Sequence, residues 1–279
     1  MRTRSRVPRL GFAVLALAAA HPQVAPQDPP AGAAGEPAPS GYALPGKEEL
    51  SYRAEWRLIH AGNAYLSWSP APENAGWQAR LRLESVGLVS RLYRVNNEYI
   101  AVLDAGLCAT SSVLKAHEGR KRRETLVSFD AAQKKASYLE RDLLNNTVVA
   151  AHEIDIPGCV HDVIGGLFRL RSMRLEPGQV VQLPISDGKK SVLARVEAQE
   201  RETVRVGGVP YQTIRYEAFL FNNVLYRRSG RLFVWISDDA RRLPVQIRIR
   251  LPFYIGTVTL ELRPPASAGA RRQLAKEIE

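Results

Sequence analysis

The densest group of side chains able to hold a metal or run nucleophilic chemistry is His152, Asp155, Cys159 and His161. A metal there would need Cys159 as a thiolate and side chains that converge on one point. Pro157-Gly158 marks a boundary between strand and helix, which sends these side chains in different directions. Cys108 and Cys159 are also the only two cysteines, so a disulfide competes for the same sulfur. The alternative for that pair is two separate buried thiols. The five histidines fall in no HExxH pattern, and the chain has no GxSxG, P-loop or GxGxxG sequence. This reading predicts no catalytic residues, no metal site and no cofactor: a protein that is not an enzyme.

Charge offers a second kind of chemistry. Lys115, His117, Arg120, Lys121, Arg122 and Arg123 cluster around a turn at Glu118-Gly119. Such a cluster is either a solvated hairpin or, through Arg120, Lys121, Arg122 and Arg123, a contact for an anionic partner such as lipid headgroups, glycans or an acidic surface. Arg227, Arg228 and Arg231 form a weaker second cluster, and Asp238-Asp239 before Pro244 reads as turn-forming.

The N-terminus indicates where such a partner would be met. Arg2, Arg4, Arg6 and Arg9 precede an apolar run from Leu10 to Ala20, ending in the small residues Ala18-Ala19-Ala20. This is the pattern of a secretory signal peptide over 1–20. The alternative, a membrane anchor, is disfavoured because eleven helical residues reach only about 16 Å, roughly half the hydrocarbon thickness. Cleavage removes four arginines and no acid, taking the net charge from +11 to +7. An exported protein of the periplasm or cell envelope follows, with no nucleic-acid partner and no transmembrane span in the mature chain. In an oxidising compartment Cys108 and Cys159 are expected to join.

The elements that would position these residues are mostly strands. Residues 21–47 are Pro-, Ala- and Gly-rich and read as a disordered linker, and 264–279 as a flexible basic tail. Between them, 48–263 reads as a single antiparallel β domain. Leu50, Tyr52, Ala54, Trp56 and Leu58 alternate with polar residues, as do Trp77, Ala79, Leu81 and Leu83, and later Val245 to Leu251 and Val258 to Leu262. Strict alternation means one dry and one wet face. Weaker alternation, punctuated by Gly- and Asp-containing turns, brings the expectation to eleven or twelve strands. One stretch differs: Val160, Val163, Ile164, Leu167 and Leu170 recur at helical spacing, predicting a helix near 159–173 with Asp162 in its first turn and Arg169, Arg171 and Arg174 in its last, an order that suits the helix dipole.

Size then constrains shape. A dozen strands make a sheet more than about 50 Å wide, and a helix of about 15 residues is only ~22 Å long. One helix cannot cover that face. The sheet must curl into a half-barrel or barrel-like form with the helix packed on its concave face. Trp56, Trp68 and Trp77 on the dry face then either line an apolar cavity or fill a solid core.

In order along the chain, several stretches resemble a bacterial domain-of-unknown-function family, number 3108. They are the exported leader, Tyr52 and Trp56 before Ala61-Gly62, the charged hairpin, Arg123 followed by Phe129-Asp130, the CVHDVIGGLFRLR helix, and the late WISDDARRLPV and IGTVTLEL strands. The resemblance spans about 48–262. It implies an envelope β-protein and no catalytic residues. The architecture is also similar to that of lipoprotein-localisation carriers, a curled antiparallel sheet under a helical lid; that likeness concerns fold alone. The expected function is a non-enzymatic binding module for an apolar or amphipathic ligand of lipid or lipoprotein type, with Trp56, Trp68, Leu81, Leu83, Val163 and Leu167 against the ligand. The alternative is a structural or partner-binding envelope protein with a filled core.

Overall fold

The computed structural model describes residues 42–264; the stretches read as a signal peptide, as a linker up to residue 41 and as a tail from 265 lie outside the described residues. The chain opens with β1 (Glu48–Trp56), β2 (Ile59–Pro70), β3 (Trp77–Ser85), the short helix α1 (Gly87–Leu92) and β4 (Val95–Leu103). It continues through β5 (Ala109–Glu118), β6 (Lys121–Asp130), β7 (Lys135–Asp142) and β8 (Thr147–Asp155) to the helix α2 (Val163–Ser172). Then follow β9 (Val180–Ser186), β10 (Ser191–Val206), β11 (Val209–Ala218), β12 (Arg231–Ser237), β13 (Pro244–Arg250) and β14 (Thr257–Leu262).

All fourteen strands form one antiparallel sheet in the order β8-β7-β6-β5-β4-β3-β2-β1-β14-β13-β12-β11-β10-β9. Two meanders, β1 to β8 and β9 to β14, meet where β1 pairs with β14, Tyr52 opposite Leu262 and Trp56 opposite Val258. The sheet curls, as its width required, without closing: β8 and β9 are its two outermost strands. Strand β7 was not expected from alternation, and α1 was too short to register as periodic.

The seam between the two edges is held by the chain that follows β8. Val160 O accepts from Ala109 N at 2.7 Å, at the start of β5. His161 N donates to Pro184 O at 2.8 Å and its carbonyl accepts from Ser186 N at 2.9 Å, so the segment pairs with β9. The Cys108–Cys159 disulfide, Cα atoms 5.2 Å apart, ties the same segment to the β4–β5 turn. Because Cys159 to His161 are spent on this pairing, the helix starts at Val163 rather than at 159. Asp162, expected inside the first turn, is its N-cap and accepts from Ile164 N (2.9 Å) and Gly165 N (3.1 Å).

Helix α2 lies on the concave face and is almost enclosed. Phe168 is fully buried and stacks on Trp68 at 4.2 Å between centroids; Trp68 stacks in turn on Trp77 at 4.9 Å. The helix approaches both flanks closely: a Cβ on Gly165 would lie 2.5 Å from Leu103 Cδ2 and one on Gly166 2.6 Å from Ile185 Cδ1, so either would push a core side chain aside. Its C-terminal turn is fixed by Arg171, expected as a surface cation suited to the helix dipole. Arg171 is instead fully buried, donating to both carboxylate oxygens of Glu48 (2.7 and 3.1 Å) and to Arg242 O (2.8 Å). Tyr42 and Leu44, from the stretch read as linker, also pack here, Tyr42 under the Arg242 guanidinium and Leu44 against the core.

Candidate functional site

The antiparallel meander puts alternate turns at the same end of the sheet. At one end, α2 covers the inner face. Ala64, Leu66, Trp68, Ala79, Leu103, Val245 and Leu262 are all buried there. At the other end the same face of the same strands is less covered. Trp56, Val258, Ile249 and Leu232 lie side by side in one row across β1, β14, β13 and β12, and all are half-buried. Ala54, Leu260 and Ile247 form the next row inward and are half-buried too. On β3 the half-buried Leu83 and Leu81 lie deeper on the same face, opposite the buried Ala64 and Leu66 of β2. We call this end the rim.

The six residues expected to meet a ligand are thus distributed between the two ends. Trp56 belongs to the rim, where its Nε1 donates to Ile255 O at 2.7 Å, while Leu83 and Leu81 are half-buried further in and pack against the core. Trp68 is sealed in the stack with Trp77 and Phe168, and its indole Nε1 is a buried donor with no acceptor. Val163 and Leu167 are half-buried on α2 and pack on the core, Leu167 bridging its two clusters. Ile247, Ile249, Val258 and Leu260 had been placed on a dry face by their alternation, but nothing local indicated that α2 would stop short of them.

The basic quartet also divides. Arg120 and Lys121 are exposed on the β5–β6 turn, and Arg122 folds back to donate to Gly119 O and Lys121 O. Arg123 faces inward and donates to Glu140 Oε1 at 2.7 Å. Glu140 also accepts from Tyr138 Oη at 2.9 Å and faces Lys189 Nζ at 3.4 Å. Burial pushes its carboxyl up, but the hydrogen bonds from Arg123 and Tyr138 and the nearby Lys189 charge outweigh this and hold it below the usual carboxylate range. Arg123 is therefore part of an interior clasp, and the solvent-facing cations of this turn are the other three.

The groups weighed for catalysis are dispersed. Cys159 is in the disulfide, His161 Nδ1 lies 2.7 Å from Leu107 O, Asp155 pairs with Lys135 at 2.9 Å, and His152 rests against the Tyr138 ring. Among the described residues no three His, Cys, Asp or Glu side chains converge as a metal-holding group. A further enclosed polar pair is Asp162 with Tyr99, whose hydroxyl donates to Oδ2 at 2.9 Å. Burial raises the pKa of both, and each caps or braces α2 rather than opening onto a cleft. Among the described residues no helix is long and apolar enough to cross a membrane.

Comparison with known proteins matches this geometry at the level of fold. A solved beta-barrel-like protein of domain of unknown function DUF1849 from Brucella abortus aligns with 80% of this chain and 98% of its own, with a TM-score of 0.52 and 8% identity. No curated protein matches. Residues 51–263 match the family described as protein of unknown function, DUF3108. The match covers β1 through β14, and on that ground the chain belongs to the DUF3108 family.

Proposed function

We propose that this protein is an exported, non-enzymatic binding module that takes the apolar part of an amphipathic ligand against the rim-end inner face of β1–β3 and β12–β14. The observation that carries this reading is the uncovered stretch of apolar inner face beside a fully packed one. An apolar concave surface with few polar groups is the usual form of a small-molecule site. The disulfide supports an oxidising compartment, in keeping with the N-terminal signal.

The test is equilibrium binding of an environment-sensitive acyl dye to the purified full chain, alongside mass spectrometry of lipids retained through purification. The double substitution Leu81→Gln with Leu83→Gln is expected to weaken dye binding about tenfold or more, since each places an amide against the apolar chain. Dye affinity unchanged in that variant, with no lipid retained by the parent chain, would overturn the reading in favour of a filled-core, partner-binding protein.

A further inference from the structure

The rim has an outward side as well, and its composition is unlike that of the opposite end. Of the seven connections at this end, five lie along the outward side: 57–59, 86–94, 119–122, 143–146 and 251–256; the turn 187–190, with Asp187, enters the concave face, and 219–230 shows none of the exposed large apolar side chains. The five touch in sequence around the curl. Arg57 donates to Phe253 O and Tyr254 O, Gly119 N to Arg94 O, and Leu143 N to Arg122 O. Together they carry six basic residues (Arg57, Arg91, Arg94, Arg120, Lys121 and Arg122) and no Asp or Glu.

Among the described residues, eight of the thirteen large apolar side chains that stand exposed are on these stretches. Phe253 is 94% exposed and Leu58 91%, and Leu88, Leu92, Leu144 and Tyr254 stand out beside them. The turns at the other end of the same sheet, 71–76, 104–108, 131–134, 207–209 and 238–243, show only Val209 of these exposed side chains and balance Glu73, Asp104, Asp238 and Asp239 against Lys134, Arg241 and Arg242.

We infer that the rim docks on the surface of an anionic lipid bilayer. Isolated exposed leucines need no explanation, but apolar and aromatic tips on several loops, interleaved with cations and cleared of acids, match the two demands of a bilayer interface. Apolar tips enter the boundary between headgroups and acyl chains, while Arg and Lys meet the negative surface potential. Phe253 and Tyr254, presented after Pro252, suit the interfacial position that aromatic rings favour. A protein partner with an acidic groove would satisfy the charge, but it would have to offer a separate apolar socket to each loop; a bilayer supplies one continuous surface to all. Docking would also point the mouth of the inner face at the membrane. The inference goes beyond the ligand reading and stands on the outer loops alone.

Co-sedimentation of the full chain with phosphatidylcholine vesicles, with and without phosphatidylglycerol, tests it. Binding is expected only with the anionic lipid and should fall steeply with salt. Each removed cation should weaken it about fivefold, so Arg120→Ser with Lys121→Ser should cost about twentyfold or more. Phe253→Ser with Tyr254→Ser should cost about tenfold or more. Lys134→Ser with Val209→Ser, at the other end, should leave partitioning unchanged, and so should Leu81→Gln with Leu83→Gln, which separates this inference from the ligand reading. All these positions apart from the Leu81–Leu83 pair are exposed, and thermal unfolding of each variant checks that the fold is retained. Absence of binding to anionic vesicles, or equal losses from changes at either end, would overturn the inference; the rim would then be a protein-docking surface.

Discussion

The two ends of the concave face are built from the same strands, with the same alternation and the same residue types, yet one end is packed to exclusion and the other is half open. Leu66 and Trp68 on β2 are buried, whereas Leu83 on β3 and Ile249 on β13 are not. The difference lies in what stands across from them. Helix α2 is ten residues long, about 15 Å, and both its ends are fixed at the packed end, by Asp162 on Tyr99 and by Arg171 on Glu48. It therefore behaves as a plug at that end; a hinged lid would need one end free. Alternation in a strand tells which face is apolar, while burial along that face depends on how far the covering element reaches.

The largest expected effect breaks the comparison at its packed end. Phe168→Ala would empty a fully buried site walled by the Trp68 ring, with the helix close-packed on both flanks at Gly165 and Gly166. A loss of about 3–5 kcal/mol is expected. Ile249→Ala at the rim removes a half-buried side chain whose space is already partly open, and should cost less than about 1.5 kcal/mol. Chemical denaturation of both variants gives the ratio directly. Equal losses would mean that the rim is as tightly packed as the plug, and the distinction between the ends would fail.

Next in size is the disulfide. Cys108 and Cys159 are 51 residues apart, and a loop of that length predicts about 4 kcal/mol in the chain-entropy account, with about 2–4 commonly realised. Reduction should therefore lower the unfolding midpoint without altering rim behaviour, because the bridge anchors the segment before α2 and touches none of the rim loops. Measuring dye binding and denaturation on the same reduced sample sharpens the comparison. A reduced chain that kept its stability but changed its dye exchange would show that the plug moves as a lid after all.

Much of this architecture was legible from residue order, and the failures have physical causes. Strands with strict alternation, such as Trp77 to Leu83 and Val258 to Leu262, appear where expected, as do the turns at Glu118-Gly119 and Asp187-Gly188. Strand β7 was missed because its inward positions read Ala136, Tyr138, Glu140, and an inward glutamate mimics a wet face. Its partner Arg123 lies on the neighbouring strand, and no pattern within β7 reveals it. Arg171 was misplaced for the same reason: its acid, Glu48, is 123 residues away. The rim cations Arg120 to Arg122 were visible as a local run. Leu58, Leu88 and Phe253 were not, since only the order of the strands brings their turns to one edge.

The smallest expected effect concerns the clasp that holds β9 and β10 against β6 and β7. The turn at 187–190 enters the concave face, with Lys189 Nζ 4.4 Å from the Tyr138 ring and 3.4 Å from Glu140 Oε2. Glu140 therefore joins a turn from one meander to Arg123 and Tyr138 of the other, on the seam that no strand pairing closes. Its carboxyl is held below the usual range in the folded state, so the unfolded chain takes up the proton first as the solution is acidified. The stabilisation is thus fully present above the ordinary carboxylate value of about 4.3 and is lost as pH falls through the lowered folded value. Lys189 is raised, despite burial opposing the shift, chiefly by Tyr138 and Glu140, so its share persists across neutral pH and is lost only in strong base. Glu140→Gln should cost about 1–2 kcal/mol at neutral pH, and the gap from the parent should shrink as pH falls below the ordinary carboxylate value and through the lowered folded one. Unfolding midpoints of both chains across that range measure it, with hydrogen exchange at 188–190 reporting whether the turn is what loosens. A gap independent of pH would locate the cost in packing rather than in charge, and the seam would then be held by α2 and the disulfide-linked segment alone.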